Sequence, residues 1–201
     1  MIRWMFACAA FALAACSVLP AKRPVALYAL SQPAPQDSAR GRIDVRLAVA
    51  RPQASGPLAT AWILVRPVSG QIEVYPAAQW SEPLPGLVDN ALVEAFEASG
   101  RFAGVERAAS GLAHDVELAT ELRDFQIELE GGPVAVIRIK ASLIDAARGE
   151  AVASRVFETR APAAARDAAA AVTALDEALA DALAQLVAWV VAGHQDVATG
   201  N

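Results

Sequence analysis

The sequence contains very few of the residues from which reactive sites are usually built. Its 201 residues include two cysteines and two histidines. Cys8 and Cys16 both lie near the N-terminus, so the rest of the chain can form neither a disulfide framework nor a cysteine-based metal site or nucleophile. His114 and His194 each lack a second histidine at ligand spacing, and no Gly-x-Ser-x-Gly elbow or phosphate-binding glycine-rich loop is present. We therefore expect no metal site, no cofactor and no catalytic residues.

Clusters of basic residues and long apolar runs are missing as well. The formal net charge is −5, and loss of residues 1–15 would remove Arg3 and no acid. Such a surface repels phosphate backbones, which excludes nucleic acid as an expected partner. After Cys16 no stretch supplies the roughly 18 uninterrupted apolar residues that a membrane-spanning helix needs. The longest candidate, residues 172–191, is interrupted by Asp176 and other polar side chains.

The N-terminus has the pattern of an export signal. Arg3 precedes an uncharged apolar segment that is too short to span a bilayer, as in secretory signal peptides. The segment ends in Leu13-Ala14-Ala15-Cys16, which resembles the bacterial lipobox. We therefore predict that residues 1–15 are a signal peptide and that the thiol of Cys16 is the lipid attachment site, carrying acyl chains such as palmitate. The alternative is an ordinary signal peptide in which Cys16 is a bystander.

Lipidation of Cys16 would determine where the protein resides. Each buried methylene contributes about 0.8 kcal/mol, so two or three acyl chains would hold the chain at a bilayer almost permanently. Cys16 is followed by Ser17 rather than by Asp, the residue that retains lipoproteins at the inner membrane in enterobacteria-like sorting. The expected location is therefore the cell envelope, lipid-anchored and facing the periplasm, at the outer membrane.

Beyond the anchor the sequence divides into three parts. Residues 16–42 hold four prolines and little periodicity, which predicts an extended tether whose one ordered contact is at Tyr28 and Leu30. Residues 43–193 are expected to form one folded domain, and residues 194–201 a frayed tail.

Strands dominate the predicted domain. Alternating apolar residues predict strands at 43–49 and 71–75, and the run at 61–66, apolar on both faces, predicts a central strand. A short strand is expected at 102–106, whereas 77–83 is expected to form a loop.

Residues 115–159 have the pattern of a three-stranded antiparallel meander with turns at residues 130–133 and 145–149. In its first strand the apolar positions change parity, which predicts a β-bulge near Arg123 and Asp124. The return strand is expected to direct Ala135, Ile137, Ile139, Ala141 and Leu143 inward.

Two amphipathic helices complete the predicted fold. The first follows Pro85 and ends before Gly100; the second runs from an N-cap at Asp167 to Val191 and ends at Gly193. The fold class is α/β (α+β-like), a single domain with a mixed, mostly antiparallel sheet covered by helices. The apolar stripes of the two helices are Val88, Ala91, Leu92, Ala95 and Phe96, and Val172, Leu175, Leu179, Leu183, Leu186 and Val190.

The tryptophans suggest where the domain meets other molecules. Trp62 and Trp189 lie in strongly apolar segments and are expected to be core residues. Trp80 lies in a predicted loop, where it either packs down to hold the following helix or anchors a partner. Tyr75 is another large side chain beside the same strand-to-helix region. Tyr75 and Trp80 are the candidate partner-binding residues.

The order of these features resembles the ABC-type transport auxiliary lipoproteins. Residues 75–87, 91–96 and 100–105 carry the resemblance, and it extends over essentially the whole chain after the signal peptide. The individual motifs are loose, but their order is specific. The matching features are Cys16 in the lipobox, Tyr28 and Leu30, the Tyr75, Trp80, Pro83 and Leu87 stretch, the turn with Asp145 and Gly149, and Trp189 near the end of the last helix.

The resemblance implies a non-enzymatic lipoprotein with a fold similar to the TolB N-terminal domain. Its expected partners are a mammalian-cell-entry (MCE) domain protein and the ABC permease and ATPase of a system that moves lipids or organic solvents across the envelope. The lipid on Cys16 is the only prosthetic group implied, and a homo-oligomer is compatible with the sequence. The alternatives are a structural lipoprotein that binds peptidoglycan or an outer-membrane protein, and a secreted hydrolase.

Overall fold

The computed structural model describes residues 24–31 and 41–199, with side chains to residue 193. Most of these residues form a mixed β-sheet with two α-helices on one of its faces. Cys16 lies outside these residues. The strands are β1 (Ala26–Tyr28), β2 (Arg46–Val49), β3 (Trp62–Arg66), β4 (Glu73–Trp80), β5 (Gly104–Arg107), β6 (Val116–Glu128), β7 (Val134–Asp145) and β8 (Glu150–Pro162); the helices are α1 (Leu84–Ala98) and α2 (Ala168–Thr199). Short 3₁₀ turns occupy Gly56–Ala59 and Ala108–Ser110.

Strand β6 is the axis of the sheet. One of its edges pairs antiparallel with β7, which pairs antiparallel with β8, confirming the predicted meander. The other edge pairs in parallel with β2 near its start and with β3 near its end. The sheet then continues from β2 to β5, and from β3 through β4 to β1. The fold class predicted above is confirmed. The sheet is mixed, with four parallel and three antiparallel strand pairings, and most of its paired residues are antiparallel because the β6–β7 and β7–β8 pairings are the longest.

The predicted β-bulge is present in β6. The register with β7 shifts between Leu122 and Asp124. Because of the extra residue, Leu122 before the bulge and Phe125 after it both belong to the core beneath the helices. The same shift turns Asp124 toward the opposite face of the sheet, where its carboxylate meets arginine side chains.

The helices cover one face of the sheet as predicted. Every residue of the two predicted apolar stripes, and every inward residue predicted for β7, is buried. Asp167 caps α2, because its Oδ1 accepts a hydrogen bond from the amide of Ala170 at 2.9 Å. Gly100 adopts φ +60° just after α1, the left-handed conformation expected there.

The predicted loop at residues 77–83 is wrong in its first half, because β4 continues to Trp80. The last three residues of β4, 78–80, pair with β1 on one side. On the other side, Gln79 pairs with Trp62 of β3. Backbone hydrogen bonding from both neighbours thus overrides the irregular local sequence.

Two other boundaries also differ from the predictions. Residues 24–31, assigned to the tether, contribute β1 to the sheet. Helix α2 continues through Gly193 to Thr199, so the predicted frayed tail is largely helical. Gly193 is buried, and a Cβ there would lie 3.4 Å from Leu143 Cδ2. This distance is an ordinary van der Waals contact, and Gly193 is an interior residue of the helix rather than its end.

Candidate functional site

Tyr75 and Trp80, the predicted partner-binding residues, are both buried. Trp80 is 2% exposed and packs edge-on against Phe125, with ring centroids 6.0 Å apart. Tyr75 is 8% exposed, and its hydroxyl has no hydrogen-bond partner among the described residues. Both side chains therefore offer little surface to another molecule, and their role in partner binding stays a prediction. Of the two roles weighed for Trp80, the structure shows packing into the core.

Trp62, predicted to be a core residue, is 46% exposed instead. It lies opposite Gln79 in the pairing of β3 with β4, and Gln79 lies opposite Leu27 in the pairing of β4 with β1. Directly paired residues project from the same face of a sheet, so these three side chains form a row across three strands. The row lies on the face opposite the helices, since Ile63 and Val65 belong to the core.

The exposed apolar side chains at this end of the sheet form a surface that we call the β1-edge patch, consisting of Val25, Leu27, Trp62 and Val74. Leu27 is 67% exposed, and the other three are between 41% and 49% exposed. Isolated exposed apolar residues are ordinary, whereas a group of them marks an interaction surface. The β1-edge patch is therefore the candidate functional site.

A shallow depression of about 170 Å³ lies within the patch. The depression lies where the pairing of β3 with β4 is irregular. Between the pairs Trp62–Gln79 and Leu64–Val74, β4 contains more residues than β3. Ala77 lies in this irregular part with φ +54°, a left-handed conformation that is costly for a residue with a side chain. The residues that line the depression are all uncharged: Val25, Trp62, Val74, Tyr75, Pro76, Ala77, Ala78 and Gln79.

The N-terminal part of the patch is held in place at both ends. Strand β1 pairs in parallel with the end of β4, and the amide of Ser81 donates a hydrogen bond to the carbonyl of Tyr28 at 2.7 Å. Ser31 donates from its amide and its hydroxyl to the Asp176 carboxylate on α2, at 3.1 and 2.7 Å. Val25 and Leu27 therefore belong to the domain surface.

The second notable surface is polar and lies on the same open face of the sheet. Its centre is Asp124, whose side chain is 8% exposed. Arg138 donates from Nε to Asp124 Oδ2 at 2.6 Å, Gln126 donates to Oδ1 at 3.1 Å, and Arg66 lies 3.5 Å from Oδ1. Nearby, Arg160 joins Glu128 and Glu158. We call these seven residues the Asp124 network.

Sequence reasoning found no signal for the Asp124 network beyond the bulge. The bulge identified Arg123 and Asp124, but not the arginine partners of Asp124. Arg66 comes from β3, which is distant in sequence, and Arg138 lies opposite Asp124 on β7 in a register that the bulge shifts. In the part of the chain that the structure describes, no cluster of three or more His, Cys, Asp or Glu residues could hold a metal ion. His114 contacts the carbonyl of Leu112 at 3.0 Å and Glu117 at 3.8 Å.

Comparison with known proteins decides the family. The family model for the ABC-type transport auxiliary lipoprotein component matches residues 28–187, from β1 into α2. The chain belongs to this family. Members of this family are lipoproteins that act as auxiliary components of ABC transport systems. Membership therefore places the protein in the cell envelope. Among the described residues, no helix is both long and apolar enough to cross a membrane.

Individual relatives agree with the family assignment. A crystal structure of a Xanthomonas campestris protein from the DUF330 family is 32% identical, covers 84% of this chain and 96% of its own, and has a TM-score of 0.78. An uncharacterized protein of Bradyrhizobium diazoefficiens is 31% identical over 165 residues. That match covers 82% of this chain but only 44% of the relative. A second crystal structure, of an uncharacterized protein, shares the fold with a TM-score of 0.68, 18% identity, and coverage of 84% and 99%.

Proposed function

We propose that this protein is a lipid-anchored, non-catalytic accessory component of an MCE-type ABC transport system, which moves lipids or organic solvents across the cell envelope. The observation that carries the proposal is the family match over residues 28–187. In the proposed arrangement, acyl chains on Cys16 hold the domain at the periplasmic side of the outer membrane. The domain then meets the MCE-domain protein and, through it, the permease and ATPase.

The contact with the protein partner needs an accessible surface, which the buried side chains of Tyr75 and Trp80 do not offer. We assign the contact to the Asp124 network, which lies on the sheet face that neither helix covers. The side chains of Arg138, Glu158 and Arg160 are between 43% and 54% exposed there. Charged groups in a fixed arrangement favour one partner over others, because a mismatched partner leaves charges unpaired. Tyr75 and Trp80 serve this surface indirectly, by holding β4 against the core.

Membrane attachment is tested with Cys16→Ala in the full chain. The variant should appear unprocessed or in the fraction released from membranes, whereas the wild type should stay with membranes. Ser17→Ala, which leaves the cysteine in place, is the matched control and should behave as the wild type. A Cys16→Ala protein that is processed and membrane-bound like the wild type would disprove the anchor.

The transport partner is tested by co-purification under extraction that preserves the surrounding membrane. The MCE-domain protein of the same organism should be recovered with the wild type and lost with Arg160→Glu. The control is Arg155→Glu, since Arg155 is on the same strand but lies over the Phe157 ring, 5.0 Å from its centroid, on the helix side of the sheet. Recovery of peptidoglycan or an outer-membrane protein instead of the MCE-domain protein would favour a role in envelope assembly.

A further inference from the structure

The β1-edge patch is the part of the described surface closest along the chain to the proposed anchor. Val25 follows Cys16 by nine positions. Nine residues span at most about 30 Å when fully extended, and about 17 Å on average for a flexible chain. Strand β1 is paired into the sheet. The distance from Cys16 to Val25 is therefore also the distance from the proposed anchor to the folded domain.

The chemistry of the patch matches the boundary between lipid headgroups and acyl chains. Val25, Leu27 and Val74 supply aliphatic surface, and the depression beside them is lined only by uncharged residues. Trp62 combines a large apolar ring with a polar N–H group, the combination that favours membrane interfaces. In the sequence, Lys22 and Arg23 directly precede this region, and cations close to a bilayer are attracted to anionic headgroups.

We propose that the β1-edge patch is a membrane-contact surface, whose occupant is the phospholipid bilayer that holds Cys16. The inference rests on the lipid anchor of the proposed function and adds an orientation to it. With Leu27 and Trp62 against the lipid, the domain is fixed on the membrane rather than tumbling at the end of a tether. The Asp124 network, farther along the same sheet face, then has a defined position for a protein partner.

Tryptophan fluorescence tests the proposal, because the tryptophans of the processed chain differ in exposure. Trp80 is buried and Trp189 packs against Phe157, whereas Trp62 is 46% exposed. The lipidated full-length protein is reconstituted into vesicles of phosphatidylethanolamine and phosphatidylglycerol, with or without brominated acyl chains. Brominated lipid should reduce the emission of the wild type, and this loss should be absent in Trp62→Phe.

A relocated tryptophan provides the matched control. Val156 on β8 is 45% exposed and lies five strand spacings from β1, about 24 Å at the usual spacing. In the double variant Trp62→Phe/Val156→Trp, emission should not respond to brominated lipid. Equal quenching at both positions, or no quenching at Trp62, would overturn the proposal.

A second pair of variants tests the patch without changing a tryptophan. Leu27→Asp should abolish the quenching of Trp62, whereas Leu112→Asp, at another exposed leucine, should not. Flotation of all variants with the vesicles reports the acyl anchor separately, so a failed orientation is distinguishable from a failed anchor. The emission of Trp62 could instead change with protein concentration and not with brominated lipid. That result would show that the patch binds a second copy of the chain, and it would overturn the proposal.

Discussion

Trp80 and Trp62 lie on neighbouring strands, yet one is a core residue and the other is at the surface. Gln79, the residue directly opposite Trp62, is adjacent to Trp80 in sequence. Successive residues of a strand point to opposite faces, so Trp80 enters the layer beneath the helices while Trp62 faces outward. A difference of one position in register thus separates a side chain that is 2% exposed from one that is 46% exposed.

The comparison shows that the side chains on the two faces of this sheet have different roles. The helix-covered face contains the aromatic and aliphatic side chains that stabilise the fold, among them Trp80, Phe125 and Ile137. The open face carries the β1-edge patch at one end and the Asp124 network nearer its middle. Substitutions of similar chemistry should therefore affect mainly folding on one face and mainly association on the other.

The largest expected effect is that of Trp80→Ala. The substitution removes a buried ring packed against Phe125, so the free energy of unfolding should fall by about 3–5 kcal/mol. Denaturant unfolding followed by circular dichroism measures this change. A loss below that of Trp62→Ala would contradict the assignment of the two tryptophans to opposite faces.

Asp124→Ala should have the second-largest effect, and it tests whether the open face also contributes to stability. The substitution leaves Arg66, Arg138 and Gln126 without their common acceptor, and the expected loss is about 1–3 kcal/mol, since the arginines are partly exposed to water. Glu121→Ala is the control, because the Glu121–Arg123 pair is exposed and should contribute less than about 1 kcal/mol. Equal losses for the two variants in the same unfolding measurement would show that Asp124 contributes no more than a surface ion pair.

Trp62→Ala should cost about 1 kcal/mol, because roughly half of the ring is already in water. Its effect on association should be larger than its effect on folding. We expect the variant to unfold as cooperatively as the wild type but to lose contact with lipid. A cost comparable to that of Trp80→Ala would mean that Trp62 belongs to the core, as the sequence alone suggested.

The sequence predicted the elements of the core better than it predicted the site. Helical stripes, the meander and the bulge are local patterns with a fixed period, and all were confirmed. Trp62 was misassigned because the run at residues 61–66 is apolar on both faces, and its period could not show which face the helices would cover. The second half of β4 was missed because its strand conformation depends on pairing with β1, a contact between segments about fifty residues apart.

Tyr75→Phe should have the smallest effect at neutral pH and the most informative one at alkaline pH. Burial, reinforced by the negative charge of Asp167, raises the pKa of Tyr75 above its ordinary value of 10.0. The folded protein therefore keeps this proton at a pH where the unfolded chain has lost it. The corresponding stability is present below pH 10.0 and is lost as the pH rises through the folded-state pKa.

At pH 7 the Tyr75→Phe protein should be as stable as the wild type or slightly more stable, because the hydroxyl has no partner among the described residues and removing it leaves no other group unpaired. Above pH 10.0 the wild type should lose stability more steeply than the variant. Unfolding curves at pH 7 and at a series of alkaline values measure both effects. Parallel pH profiles for the two proteins would show that folding does not raise the pKa of Tyr75, and would contradict the effect of burial on this hydroxyl.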